Sequence, residues 1–316
     1  YYIRAAFKGA FGKALAAIFA ILIVLALGFT GNMVQSNSIG AAFSEVFSAR
    51  NIEIPSIVFG LILAAVIGFI FLGGVNRLAS VVEKIVPIMA GIYIVGSLVL
   101  ILMNITALPE AIKMIFVGAF NPEAVVGAGA GIAVREAIRF GVARGLFSNE
   151  AGMGSTPHAH ARAKVENPHK QGLAAMISVF IDTFIILNLT VFSILTTGVL
   201  DSGKEGTALT QAAFTKGFGN FGDIFVAVCL LFFAFSTILG WHFFGEVNVK
   251  YLFGEKAAKF YSILVIGFVI VGSTLKVQLV WSLSDFFNGL MVIPNAIALW
   301  ALSGVVVKIC KQYGKK

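Results

Sequence analysis

The residues equipped to do chemistry fall in three polar runs inside otherwise apolar stretches, with one isolated acid. The run GLFSNEAGMGS, Gly145 to Ser155, holds three glycines, Ser148, Asn149, Glu150 and Ser155, and directly follows Arg144. Glycine costs a helix interior up to about 1 kcal/mol against alanine. The pattern therefore predicts a broken helix, whose freed amides and carbonyls suit a carboxylate and a cation. The competing reading is a continuous helix that packs closely through Gly152 and Gly154. The second run is FSTILGWHFFGE, Phe235 to Glu246. Ser236 and Thr237 are adjacent hydroxyls, and with a carbonyl one turn earlier, at or near Phe233, they offer hard oxygen ligands to a cation. Alternatively both hydroxyls bond their own helix carbonyls. In the third run, GNMVQSNS from Gly31 to Ser38, Gln35 either faces a cavity or makes an interhelical polar contact. Asp182 interrupts an apolar span, and three roles stay open for it: cation ligand, proton acceptor, or partner of an arginine such as Arg144.

Catalytic sets are scarce. HAHAR places His158 and His160 two residues apart in a basic loop, where a helix would point them apart. No carboxylate or cysteine completes a metal set with them, so the reading is a solvated loop. Phosphate-binding glycine motifs, Ser-His-Asp patterns and cysteine pairs do not occur. Cys229 lies in an apolar run and Cys310 in the basic C-terminal stretch, which gives no disulfide framework.

The elements that must position these residues are membrane helices. Of the 316 residues, 59% are hydrophobic and 12% charged, and mean hydropathy is +0.95. Soluble domains carry roughly a quarter charged residues. No Lys, Arg, Asp or Glu occurs between Glu53 and Arg77, between Lys84 and Glu110, or between Asp223 and Glu246. Each gap exceeds the roughly 20 residues needed to cross about 30 Å of hydrocarbon. Backbone in lipid must bond to itself, so these runs are helices. Eight spans are expected, at about 13–46, 55–73, 84–105, 134–157, 171–199, 221–249, 259–275 and 278–307. The fourth is charged and enters only because the alternation then works. With it, 15 of the 23 basic residues share one side with both chain ends, which the positive-inside rule makes cytoplasmic. The net charge of +8 is thus topogenic, and no nucleic-acid partner is expected. The 106–133 region reads as an extracellular loop with a short interfacial helix, carrying NPE (Asn121 to Glu123) and GAGAG (Gly127 to Gly131). The chain opens on Tyr1 rather than Met, in a basic amphipathic stretch, and the expectation is that the natural N-terminus lies upstream.

GLFSNEAGMGSTPHAHARAK followed by NPHKQG, within Gly141 to Gly172, resembles the signature of the alanine/glycine:cation symporter family. GNMVQSNSI, FSTILGW and DFFNGLMVIPNAIAL are also similar to family segments, so the likeness runs along essentially the whole chain. The resemblance implies an all-α polytopic membrane protein with the LeuT-type inverted-repeat transporter fold. Under it, 1–105 is the remainder of the first inverted repeat (core helices three to five) and 134–307 is the second (core helices six to ten). Residues 308–316 form a basic cytoplasmic tail. Core helices one and two, the first of them the other broken helix of the fold, would precede Tyr1. The implied activity is sodium-coupled symport of alanine or glycine in the plasma (inner) membrane of a prokaryote, with sodium as coupling ion and no cofactor. Position by position, the resemblance puts Gln35, Phe147 and Trp241 around the substrate, with Gly145 and Ser148 beside them. It puts Ser236, Thr237 and the Phe233 carbonyl at the sodium site, and leaves Arg144, Asn149, Glu150 and Asp182 as further candidates. Two alternatives stand beside it, a proton-coupled amino-acid transporter and a non-transporting membrane fragment. A membrane enzyme would need a convergent catalytic set, and a channel would need pore-lining repeats.

Overall fold

Apolar runs too long for strands, with few side chains able to accept backbone hydrogen bonds, leave helix as the way to satisfy every N–H and C=O. The computed structural model describes residues 1–120 and 130–314, and among them every regular element is helical. The NPE run and Gly127 to Gly129 lie outside the described residues. In chain order the helices are α1 (Tyr2–Ala6), α2 (Gly9–Ser48), α3 (Ser56–Leu72), α4 (Gly74–Met103) and α5 (Leu108–Phe120). They continue with α6 (Ala130–Asn149), α7 (Pro157–His160), α8 (Pro168–Thr197) and α9 (Gly206–Phe218). The last three are α10 (Gly222–Phe253), α11 (Glu255–Thr274) and α12 (Val277–Tyr313).

Six segments among the described residues are long and apolar enough to cross a membrane, with α3 a shorter apolar helix beside them. Seven of the eight expected spans coincide with these helices to within a few residues, except that α4 begins ten residues before its span. The fourth does not form a continuous span. α6 stops at Asn149, the chain then unwinds, and only the single turn of α7 follows. α12 runs on through the basic residues Lys308 and Lys311 as far as Tyr313.

α2 is the central element, packed against α10, α11, α12 and α3. Ile23 and Leu27 of α2, Ile238 and Leu239 of α10, Val265 and Val269 of α11 and Met291 of α12 share one core. The periphery is the reverse. Phe69 of α3, Leu102 of α4, Phe184 of α8 and Trp300 of α12 lie exposed on the outside, an apolar belt that water would not tolerate and lipid does. The chain is a multi-pass membrane protein.

Two helices carry a widened π segment, at Val24–Gly31 of α2 and Ile181–Ile186 of α8. Widening to i→i+5 bonding leaves carbonyls poorly served, and polar side chains within or just beyond each segment take them up. Thr30 Oγ1 donates to the Ala26 carbonyl at 2.9 Å and Asn32 Nδ2 to that of Gly28 at 3.0 Å. In α8, Asn188 Nδ2 donates to the Thr183 and Phe184 carbonyls, each at 3.2 Å. Part of the polarity of GNMVQSNS is therefore structural. Ser36 and Asn37 spend theirs on α11, bonding the carbonyls of Val269 at 2.6 Å and Gly272 at 2.9 Å.

Candidate functional site

The end of α6 is a break built by backbone conformations that a helix cannot continue. Glu150, Gly152 and Gly154 have φ of 54°, 82° and 83°. Other elements pin the unwound chain. Asn149 Oδ1 accepts from the Ala151 amide at 2.9 Å, and Asn295 Nδ2 of α12 donates to the Gly152 carbonyl at 2.7 Å. The Tyr2 hydroxyl donates to Asn295 Oδ1 at 2.6 Å and so holds that amide in place. Gly154 is required by contact as well as by φ, since a Cβ there would lie 2.6 Å from the Asn295 side chain. The carboxylate of Glu150 accepts from two donors, Trp241 Nε1 of α10 and the Ser155 hydroxyl.

Around the break stands an aromatic group. Phe147 meets Trp241 edge to face, with ring centroids 5.2 Å apart at 86°, and lies 4.8 Å from Trp281 of α12. Trp241 also packs onto α2 at Gly31, where a Cβ would come within 2.7 Å of the indole. Gln35 lies one helical turn beyond Gly31 and has no hydrogen-bond partner among the described residues, unlike its neighbours Ser36 and Asn37. Thr237 precedes Trp241 by one turn on α10. Phe147 of α6 and Trp241 of α10 thus meet beside α2 at Gly31, while Gln35 and Thr237 each lie one turn along their helices from Gly31 and Trp241. Nothing lies within 4 Å of the place a Gly145 side chain would occupy.

The remaining candidates are distributed differently. Ser148 and Asn149 turn toward the π segment of α8, where Ser148 Oγ donates to Asp182 Oδ2 at 2.8 Å and Asn149 Nδ2 to Thr183 Oγ1 at 3.2 Å. Pairing of Asp182 with Arg144 does not form. Arg144 instead makes a forked bond to Asp285 of α12, at 2.6 and 3.1 Å, with its guanidinium 3.9 Å from the Trp281 ring centre. Ser236 and Thr237 both donate to the Phe233 carbonyl at 2.9 Å, which is the helix-internal arrangement. It also brings three hard oxygens together at one turn of α10, and the hydroxyl lone pairs stay available to a cation.

His158 departs from the solvated-loop expectation. Its Nδ1 sits 2.7 Å from the Ser155 carbonyl and its Nε2 2.9 Å from Asn248 Nδ2, which also donates to the Phe244 carbonyl. With Nδ1 donating to the carbonyl and Nε2 accepting from the amide, both ring nitrogens are satisfied in the neutral form, and burial lowers the pKa of the ring. His160 bonds Gln171 at 2.6 Å. At the other end of α2, Arg50 forks onto Asp223 at 2.7 and 3.1 Å, and this bond raises the pKa of Arg50.

Trp281, Asp285 and Asn295 were not among the sequence candidates. Asp285 carries the signal that singled out Asp182, an acid inside an apolar span. Asn295 follows Pro294, a helix-interior proline whose missing N–H marks α12 as irregular there.

The sequence matches the sodium:alanine symporter family across residues 1–316. It is 41% identical to the amino-acid carrier protein AlsT of Bacillus subtilis, over all of this chain and 65% of that protein. It is 40% identical to the probable sodium/glutamine symporter GlnT of the same organism, over all of this chain and 64% of that protein. Identity to the sodium/alanine symporter AgcS of Methanococcus maripaludis is 38%, over 96% of this chain and 66% of that protein. The chain therefore spans about two thirds of the length of these relatives.

Proposed function

The chain belongs to the sodium:alanine symporter family, a family of transporters and not of enzymes, and on that premise we propose that it forms most of a sodium-coupled symporter for a small neutral amino acid, alanine or glycine. The observation that carries this reading is the meeting of Phe147 and Trp241 at the break after α6, with Gln35 one turn along α2 from Gly31, which abuts Trp241. A broken helix offers backbone groups to both ends of a zwitterion. Two large rings closing a small pocket there would admit a methyl or hydrogen side chain and exclude bulkier ones, a steric basis for selectivity. Ser236, Thr237 and the Phe233 carbonyl are the proposed protein ligands of sodium. Asp182, fixed by Ser148, is a polar neighbour of the break rather than a wall of this pocket.

The proposed architecture is the LeuT-type inverted repeat, working by alternating access in a prokaryotic plasma membrane with both ends of this chain cytoplasmic. Sodium favours one state only through its differential affinity for the two. One charge moving through 100 mV supplies about 2.3 kcal/mol, roughly 50-fold in accumulation.

The test is uptake of labelled alanine and glycine into proteoliposomes bearing the full-length protein that carries this chain, under an inward sodium gradient. Uptake should require sodium, and Ser236→Ala or Thr237→Ala should raise the sodium concentration for half-maximal rate about tenfold, the worth of one ligand bond. Unchanged sodium activation in both variants defeats the cation-site assignment. Uptake driven equally by a proton gradient without sodium favours the proton-coupled alternative.

A further inference from the structure

Glu150 occupies the first position beyond α6 in a left-handed conformation, φ 54°, which costs a side-chain-bearing residue energy unless its surroundings enforce it. Gly152 and Gly154 show that the same segment uses glycine for such turns elsewhere. What the glutamate adds is a carboxylate that binds two donors from different parts of the fold, Ser155 in the unwound segment and the Trp241 indole on α10. An indole has one N–H, pointing in one direction in the plane of its ring, and accepts no hydrogen bond. An acceptor fixed in that direction therefore fixes the rotation of the ring. The ring turns about its Cα–Cβ and Cβ–Cγ bonds, and either turn swings the N–H off Glu150, while Phe147 and Gly31 pack against its other faces.

We propose that Glu150 is a positioning residue for Trp241: it clamps the indole to the unwound segment, so that the pocket wall and the helix break move as one unit. This rests on the reading of Trp241 as a wall of the substrate pocket. A substrate carboxylate or amine that settles on the unwound backbone would, through Glu150, also turn the ring that encloses its side chain. Recognition of the zwitterion and exclusion of large side chains then become one event.

The test uses the full-length protein labelled with 5-fluorotryptophan, with the Trp241 fluorine resonance assigned by its loss in Trp241→Phe. Glu150→Ala should shift and broaden that resonance before any amino acid is added and raise KM for alanine about tenfold, with a smaller change in maximal rate. Glu150→Gln, which keeps an acceptor for the indole, should leave the resonance in place and KM within about twofold. Glu150→Gly, which removes the carboxylate but relaxes the backbone, should match Glu150→Ala and so separate the side chain from the strain. An unmoved Trp241 resonance in Glu150→Ala overturns the proposal. So does loss of uptake in Glu150→Gln with the resonance intact, which would make the charge itself the requirement. Because the resonance is read without substrate, a shift in Glu150→Ala in a protein that transports neither alanine nor glycine would uphold the clamp and sink the substrate reading instead.

Discussion

Tyr261 shows how closely single atoms are fitted in this core. Its ring is buried, its hydroxyl has no hydrogen-bond partner among the described residues, and Gly28 of the α2 π segment faces that oxygen. A Cβ at position 28 would stand 2.5 Å from the hydroxyl oxygen but 3.2 Å from the nearest ring carbons. Gly28→Ala should therefore destabilise the protein by about 1–3 kcal/mol, the usual cost of overpacking. Tyr261→Phe removes the offending oxygen without breaking a bond. It should be neutral or stabilising alone and should recover most of the loss in the double variant. Thermal unfolding of the four proteins in detergent checks this, and additive losses would contradict it. At this scale the sequence identified residue types better than directions. Phe147 and Trp241, which the resemblance groups together, touch edge to face. Ser148, one residue on, faces α8 because a helix turns each successive side chain by about 100°, and no composition reveals which way the arc begins.

Between elements, the Arg144–Asp285 pair is the clearest tie from the broken helix to α12, and Trp281 stacks on its guanidinium. Both side chains are about a third exposed (35% and 31%), so the pair is worth less than a fully buried one. Asp285→Asn should cost about 1–2 kcal/mol, because it strands the arginine's charge in a partly dry site. The double variant Arg144→Gln with Asp285→Asn should recover stability relative to Asp285→Asn, since no lone charge remains. Melting temperatures that fall further in the double variant would contradict this. The helices themselves were legible because lipid dictates their length and apolarity, and the break was legible in GLFSNEAGMGS. Within the span assigned to 134–157, the alternation of basic loops counts a crossing but does not detect that the helix stops at Asn149. The π segments were not legible either: VLALGFTG is apolar like its surroundings, and its only marks are Gly28, Gly31 and a threonine that bonds backward.

For the molecule as a whole, apolar side chains face outward from α3, α4, α8 and α12, while α2 carries much of the core. The two cysteines report on this arrangement without engineering. Cys310 is exposed near the end of α12 and Cys229 is buried in α10. A membrane-impermeant maleimide should label Cys310 in inverted vesicles and not in intact cells, with Cys310→Ser as control, if the C-terminal end is cytoplasmic as the charge distribution suggests. Labelling from outside would reverse the orientation. Charge made this expectation possible, whereas the layering of helices around α2 depends on which faces pack, and uniformly apolar helices conceal that. The widened turn in α2 has a consequence for how the chain can vary. It separates the half of the helix that begins at Gly9 from the half that carries Gln35, Ser36 and Asn37. Losing one residue within Val24–Gly31 would not merely shorten the rod. It would rotate the phase of everything beyond by about 100°, swing Ser36 and Asn37 off Val269 and Gly272, and bring a different residue to the place of Gln35. Length in that stretch is thus a determinant of which side chains meet α11, and a point deletion there would act as a substitution at every later position of the helix.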